Sequence, residues 1–496
     1  MWMGIDIGTG GSRALLVDER GAVRAGYTAP HEDMRMERPL WAEQRPENWW
    51  DAACDAVRGV LAAAGIPGSQ VQGIGLSGQM HGLVILDAAD RVIRPSLIWC
   101  DQRSQPQVDA VNASIGRERI LQYIANPVLT GFTLPKLLWV RDHEPQNFER
   151  VRKMLLPKDY VRFRLTGEFA SEVSDASGTA VFDVVNRRWS FEMMDALGLD
   201  RSILPACYES SDVTGRITPP VAELTGLRAG TPVVGGGGDQ ASSAVGNGIV
   251  EEGIVSCTLG TSGVVFAHME KVAYDPAGRV HTFCHAVRDK WHVMGVTQGA
   301  GLSLQWLRNQ LAPGTAYDAL TAEAAQSPAG AQGLFWLPYL MGERTPHLDA
   351  TARGGWIGLT ASHTRADLIR AVIEGVSYSQ RDCLDIIEEL GVAVNSVRAS
   401  GGGAQSAFWR GLLAGILNKR VVTLETQEGS AYGAALLALA GTGAYASVPE
   451  VCRAAIRETD SVSPGAQDAA FYEKGHLVYR ALYPALKPIF GRIAAL

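Results

Sequence analysis

An α/β protein of two domains with duplicated topology, arranged around a central catalytic cleft, is the fold this sequence predicts, on three observations. A chain of 496 residues, 46% hydrophobic and 20% charged, exceeds what one hydrophobic core usually organises. Ile5-Asp6-Ile7-Gly8-Thr9-Gly10-Gly11 is echoed about half the chain later by Cys257-Thr258-Leu259-Gly260-Thr261-Ser262-Gly263. A second echo then follows in each half, in the same order: amphipathic helix, short loop, strand, glycine turn. One echo is what any α/β protein shows, whereas two in order indicate duplication. The boundary falls near Ala244 to Gly253, giving domains 1–245 and 246–496.

Each copy of the first echo reads as a β-hairpin with a small-residue tip, an apolar strand running into Gly/Thr/Ser and out again through Ala14 to Val17 or Val264 to Ala267. Asp18-Glu19-Arg20-Gly21 adds a turn and extends the first copy to a three-strand meander. Trp50, Ala53, Cys54, Val57 and Leu61 then share one helical face ahead of a strand over Val71 to Leu76 and the turn at Ser77-Gly78. In the second half Ile369, Val372, Ile373 and Val376 begin a helix reaching Leu390, ahead of Val397 to Gly403. Pro219-Pro220, Gly226 to Gly230 and Pro313-Gly314 read as surface turns.

The formal charge of −7 is spread along the chain, with no basic face to neutralise a nucleic-acid backbone. The first residues reach Asp6 before any apolar stretch of signal length, and no run is long and apolar enough to span a bilayer, so no membrane partner is expected. Seven scattered cysteines without a Cys-x-x-Cys pair argue for a reducing, cytoplasmic setting. The cluster His281, Cys284, His285 and His292 lacks a recognised ligand spacing and reads as packing.

The hairpin tip Gly8, Thr9, Gly10 and Gly11 bares backbone N–H groups to which a phosphate oxygen can approach, and Gly260-Thr261-Ser262-Gly263 supplies a matching tip. Ser12 and Arg13, next in the strand, are counted on the same nucleotide side. Asp6 ends an apolar strand, where a carboxylate needs a cation or donor; Mg²⁺, shared with phosphates and partly water-coordinated, meets that need. Gly235-Gly236-Gly237-Gly238-Asp239-Gln240 leads from a strand into a helix and presents Asp239 as a base for an acceptor hydroxyl, with a second contribution to the metal. Gly401, Gly402, Gly403 and Ala404 can lie against an adenine or α-phosphate, with Phe408 and Trp409 either beside them or in the core. Gln79, Met80, His81 and Gly82, with Trp99, Asp101 and Gln240, offer the polar groups and aromatic wall that polyol recognition uses.

Gly131-Phe132-Thr133-Leu134-Pro135-Lys136-Leu137-Leu138-Trp139-Val140-Arg141-Asp142-His143 resembles the first signature of the FGGY carbohydrate kinases, in the actin, hexokinase and heat-shock-chaperone ATPase superfamily. Gly354 to Leu359 with Asp367 to Glu374 resembles the second, and the resemblance covers the whole chain. Ser77 to Gly82 is similar to the sugar-binding segment of the xylulose-phosphorylating branch, where glycerol kinases carry an Arg-Glu pair. Leu156 to Tyr160, Asp175 to Thr179 and Gly342 to His347 are similar to that branch as well.

The resemblance implies actin-like, ribonuclease H-like domains and ATP- and Mg²⁺-dependent phosphorylation of D-xylulose at O5. Another ketose or polyol substrate, ribulose or a hexulose, is the alternative, followed by a non-catalytic sugar-sensing protein of this ATPase fold. It further implies Asp239 as general base, Asp6 near Mg²⁺, both hairpins on phosphates, Gly402 and Gly403 near the nucleotide, and His81 and Gln240 near the sugar. A homodimer is compatible with it. Gly10 and Gly11 depart from the family pattern, in which many relatives carry Ser or Thr at one of these positions.

Overall fold

The computed structural model describes residues 1–426 and 428–495. They form two compact units, the first comprising 1–250, 282–292 and 428–456, the second 251–281, 293–427 and 457–496. The chain first passes from one unit to the other close to the expected boundary. Two later segments nevertheless pack with the first unit, because their apolar side chains complete its core.

The first unit begins with the meander β1 (Trp2–Ile7), β2 (Gly11–Val17) and β3 (Val23–Pro30), antiparallel throughout. Helix α1 (Pro46–Ala64) follows, with proline in its first turn and left-handed Gly65 at its end, and it buries Trp49, Trp50, Ala53, Cys54, Val57 and Leu61. It delivers β4 (Gly73–Gly78) parallel to β1. Strands β5 (Val213–Arg216), β6 (Pro232–Val234) and β7 (Gly237–Gly238) complete a sheet of order β5-β6-β4-β1-β2-β3, with β7 also on β4. Helix α2 (Asp239–Gly246) leaves directly from β7. Pro219-Pro220 is not a surface turn: the pair opens a helix, Pro219–Thr225, because proline suits the first helical turn, and Gly226 closes it.

The second unit repeats this plan. β8 (Gly253–Leu259) and β9 (Gly263–Met269) form the second hairpin. Helix α3 (Arg365–Glu389), opened by the Thr364/Asp367 capping box, precedes β10 (Val394–Ser400), parallel to β8. Helix α4 (Ala407–Leu417) leads to β11 (Arg420–Leu424), parallel to β10. After α5 (Gly429–Gly441), which belongs to the first unit, β12 (Glu458–Val462) lies antiparallel on β11. The order β9-β8-β10-β11-β12 therefore matches β2-β1-β4-β6-β5. One detail differs: the antiparallel edge strand precedes its neighbour in the first unit and follows it in the second.

The faces of β1 alternate. Met3, Ile5 and Ile7 join the core with α1, whereas Trp2 packs with α5, so Gly4 and Asp6 share the α5 side. Helix α5 is apolar on every side and buried from Ala431 to Leu439. It approaches so closely that a Cβ on Gly4 would stand 1.9 Å from the Ala431 carbonyl oxygen, and one on Gly75 1.9 Å from that of Ala434. A Cβ on Gly433 would stand 1.7 Å from the Ser242 carbonyl oxygen of α2. Backbone cannot yield as a flexible side chain does, so Gly433→Ala is expected to cost about 1–3 kcal/mol. Gly10, where an added methyl would meet no atom within 4 Å, is the control. Thermal unfolding should separate the two, with Gly433→Ala melting clearly lower and Gly10→Ala unchanged.

Candidate active site

The first hairpin is held from beneath by side chains that leave its outer surface open. Gly8 N–H donates to the Gly11 carbonyl at 3.0 Å and closes the turn. Gln44 Nε2 donates to the Thr9 carbonyl at 2.7 Å, and Gln79 Nε2 donates to the Gly8 carbonyl at 3.3 Å and to Gln44 Oε1 at 2.9 Å. Trp99 Nε1 donates to Thr9 Oγ1 at 3.0 Å. Gly10 is exposed with room for a side chain, but a Cβ on Gly11 would lie 2.8 Å from the Ala29 carbonyl oxygen. The two departures from the family pattern thus differ: β3 demands glycine at position 11, and nothing demands it at position 10.

Ser12 and Arg13 are engaged within the protein. Ser12 is fully buried with its hydroxyl 2.9 Å from His31 Nε2, while the Arg13 guanidinium pairs with Glu428 at 2.6 Å and donates to Thr28. Neither side chain extends the open tip of the hairpin. That tip consists of Gly8, Thr9 and Gly10 and the backbone they expose.

Asp6, at the end of β1, and Asp239, the first residue of α2, are the carboxylates of this face. Burial holds the Asp6 carboxyl above the ordinary range, opposed by Ser77 and the charge of Arg13, and its Oδ1 is buried without a hydrogen-bond partner. Burial first, then the neighbouring charge of Asp6, pushes Asp239 up to about 7, although the Gln240 N–H donates to its Oδ1 at 2.7 Å. A carboxylate with that value is poised to exchange a proton near neutrality. Gly238 occupies the cap position, so Asp239 is presented inside the helix's first turn.

A buried charge cluster carries the loop ahead of Asp239. The Lys158 ammonium lies 2.7 Å from Asp159 and 3.6 Å from both Glu172 and Asp175, all fully buried. Glu172 accepts from Ser174 Oγ at 2.9 Å, and that hydroxyl in turn accepts from the Gly238 N–H at 3.2 Å. The cluster therefore reaches the residue before Asp239 through one hydroxyl.

In the turn after β4, Met80 lies beneath Gly238, where a Cβ would meet its Cγ at 2.9 Å, and a Cβ on Gly82 would meet Pro157 at 2.5 Å. His81 takes a left-handed backbone, φ 69°; its Nδ1 is 2.7 Å from the Gly178 carbonyl and its ring stacks on Phe132. Trp99 is 48% exposed, leaving an indole face open beside the hairpin tip. Gln240 is half-buried next to Asp239. Asp101 is placed differently from expectation. It is fully buried, and its oxygens accept from the Ala42 N–H at 2.6 Å and from the N–H and guanidinium of Arg103. Its acceptor capacity is spent on the loop around Trp41, which leaves a ligand nothing to donate to.

In the second unit Gly260, Thr261, Gly402 and Gly403 line one cavity of about 350 Å³. Gly401 takes φ 81° beneath the Leu259 carbonyl, and the turn from Gly402 to Gln405 ends at Ser406, which caps α4. Ala404 is buried beneath this turn, and Trp409 forms the cavity floor while donating to Ser377 at 3.2 Å. Phe408 instead lies against the Arg370 guanidinium. The opposite wall includes Gly301, Leu304, Gln305, Tyr317, Asp318 and Thr321, none of them singled out by the sequence. The Gly301 N–H donates to the Gly260 carbonyl at 2.7 Å, tying that wall to the hairpin. The volume and mixed lining suit a nucleoside-sized ligand.

Among the described residues no group of three or more His, Cys, Asp or Glu is arranged to hold a metal ion, and no helix is long and apolar enough to cross a membrane. Residues 1–246 match the N-terminal domain, and residues 255–442 the C-terminal domain, of the FGGY family of carbohydrate kinases. The xylulose kinase of Escherichia coli (strain K12) is 41% identical over 99% of this chain and 100% of its own. That of Bacillus subtilis (strain 168) is 39% identical over 98% and 97%. A crystal structure described as a xyloylose kinase from Brucella ovis, 37% identical, superposes with a TM-score of 0.93 over 98% of this chain and 99% of that one. With both domains matched, the duplicated sheets in place and relatives of this identity along its whole length, the chain belongs to the FGGY family of carbohydrate kinases.

Proposed function

We propose that this chain transfers the γ-phosphoryl group of ATP to O5 of D-xylulose. The observation that carries the reading is Asp239: a half-buried carboxylate at a helix start, poised near pH 7, in one unit with the open indole of Trp99 and the His81 turn. The names of the relatives select the ketose. Phosphoryl transfer passes through a loose transition state, so the protein's work is to align the acceptor oxygen, take its proton and bind phosphate charge. Asp239 accepts the O5 proton, while Gln79, Met80, His81, Gly82, Trp99 and Gln240 orient the sugar. The backbone N–H groups of Thr9 and Gly10 and of Gly260-Thr261 bind phosphate oxygens, the Gly8 N–H being spent on the turn, and Gly402-Gly403 together with Trp409 hold the nucleoside.

Asp6 fits a divalent cation, because its buried Oδ1 has no partner within the protein and Mg²⁺ takes hard oxygen donors with water completing its shell. Asp6 and Asp239 would hold Mg²⁺, which when bound neutralises phosphate charge.

Coupled ADP release tests the assignment with D-xylulose, L-xylulose, D-ribulose, L-ribulose, D-fructose and glycerol. D-xylulose is expected to give the highest kcat/KM, and Asp239→Asn to lower kcat by roughly 10²–10⁴. Turnover with glycerol above that with every ketose would remove the ketose reading.

The pH profile is set by the same group. Asp239 must be ionised to accept a proton and its value is raised to about 7, so kcat is expected to fall as pH drops through about 7. A plateau extending down to about pH 5 would mean that a different base is at work. Gly10→Ser, placed where a side chain has room, is expected to lower the KM for ATP about threefold by adding a hydroxyl at the tip; nucleotide titration at saturating sugar measures it.

A further inference from the structure

We infer that Lys136 is a positioning residue for the acceptor sugar: its buried side chain fixes the carbonyl of His81 and, through it, the left-handed turn that carries the sugar-side groups. The inference rests on the proposed sugar site. Lys136 is fully buried in the helix Thr133–His143. Its Nζ donates to the carbonyls of His81 at 3.1 Å, Phe132 at 3.2 Å and Gly131. Thr133 Oγ1 donates to the same His81 carbonyl at 3.1 Å. An ammonium has three N–H donors and no acceptor, so three carbonyls use it completely.

His81 needs such a hold. A non-glycine residue at φ 69° is strained, and it keeps that backbone only when its surroundings over-determine it. One constraint acts on the ring, through the Gly178 carbonyl and the Phe132 stack. The other acts on the backbone, through Lys136 and Thr133. Phe132 belongs to both, since the ring that stacks on His81 is followed by a carbonyl that Lys136 holds. Gly131 lies against the Trp99 carbonyl, where a Cβ would stand 3.1 Å away, so the same ammonium also anchors the segment behind the open indole.

The titratable groups facing Lys136 are Asp101 and Cys100 on the neighbouring segment and His81 across the loop. Burial lowers Lys136 to about 7, opposed by the charges of Asp101 and Cys100. Above that value the amine keeps two hydrogens for three carbonyls, and one contact is lost. The two titrations then act on different constants: loss of the Lys136 proton weakens sugar binding as pH rises, whereas protonation of Asp239 lowers kcat as pH falls.

Steady-state kinetics of the full chain decide it, with D-xylulose varied at saturating Mg-ATP from about pH 5.5 to about pH 8.5, for the wild type, Lys136→Met, Thr133→Val and His81→Ala. Lys136→Met is expected to raise the sugar KM about tenfold at all pH values with the ATP KM unchanged. Thr133→Val raises it less. The wild-type sugar KM rises through about pH 7, and this limb is absent from Lys136→Met. A role confined to stability would lower the melting temperature and leave the limb in place. The inference is overturned if Lys136→Met keeps the wild-type sugar KM while His81→Ala raises it, or if the limb persists without the lysine. An unaltered KM in His81→Ala removes the sugar-site reading and this inference with it. If Lys136→Met does not fold, a flat wild-type KM profile together with an unaffected Thr133→Val overturns the inference, and a limb with a raised Thr133→Val KM sustains it.

Discussion

The first unit's candidate site residues depend on one backbone contact, that of α5 with its neighbours. Three elements lean on this helix: β1, which carries Asp6 near its end; β4, which runs into the turn at Gln79 to Gly82; and α2, which begins at Asp239. Each meets α5 at a glycine or receives one, at Gly4, Gly75 and Gly433. Without side chains between them the separations are set by main chain, which cannot relax by changing rotamer. A helix reached only after 428 residues thus fixes the positions of groups from residues 6, 80 and 239. Ser430 extends the support by donating its hydroxyl to the Asp239 carbonyl at 3.1 Å.

That rigidity allows the electrostatics to be tuned. Two carboxylates placed close together in a half-buried setting disfavour each other's charge, and here the burden falls on Asp239. Elsewhere the same cost is handled by pairing. Burial works against the charge of Lys158, but Asp159, Glu172 and Asp175 outweigh it and keep the ammonium protonated. Of those three acids, Asp175 is held well above the carboxylate range by burial, with Lys158 opposing. Lys136 has only carbonyls as hydrogen-bond partners, and there burial outweighs the opposing charges of Asp101 and Cys100. Two buried lysines in one unit therefore sit on opposite sides of their ordinary value, and the difference lies in what faces them.

Much of this was legible in the sequence because it is local. Both hairpins, the meander, α1 and α3 follow from apolar spacing within windows shorter than a helix, and a glycine run before Asp239 announces a carboxylate at a helix start. What escaped is set by contacts between distant segments. Asp101 looks like a ligand-facing acid until Ala42 and Arg103 are seen to consume its oxygens. Ser12 looks like part of a phosphate loop until the strand pleat turns it inward onto His31. Gln44, which holds both Thr9 and Gln79, lies in no motif, and neither do Gly301 and Tyr317, which complete the cavity wall. Lys136 stood within a recognised signature, but its burial and its three carbonyl partners appear only once the chain has folded.

The duplication also explains how one unpaired acid at a helix start arises from a symmetric plan. Helices α2 and α5 are equivalent elements: each follows the strand that extends its sheet beyond β4 or β10, α2 after β6 and β7, α5 after β11. Both pack within the first unit, crossing where Gly433 meets Ser242 and Gly246 meets Gly429. Such a pair offers two helix starts, each able to favour a negative group through its free N–H donors. Two acids there would repel one another as Asp6 and Asp239 already do. The sequence resolves this by asymmetry: Asp239 opens one helix, whereas Glu428, at the cap of the other, is paired with Arg13 and that helix itself begins with Gly429-Ser430. The second start then serves the first: its glycine gives the close approach and its serine hydroxyl braces the backbone of the acid. A repeated fold thereby supplies a single raised carboxylate at a helix start together with the support that fixes where it stands.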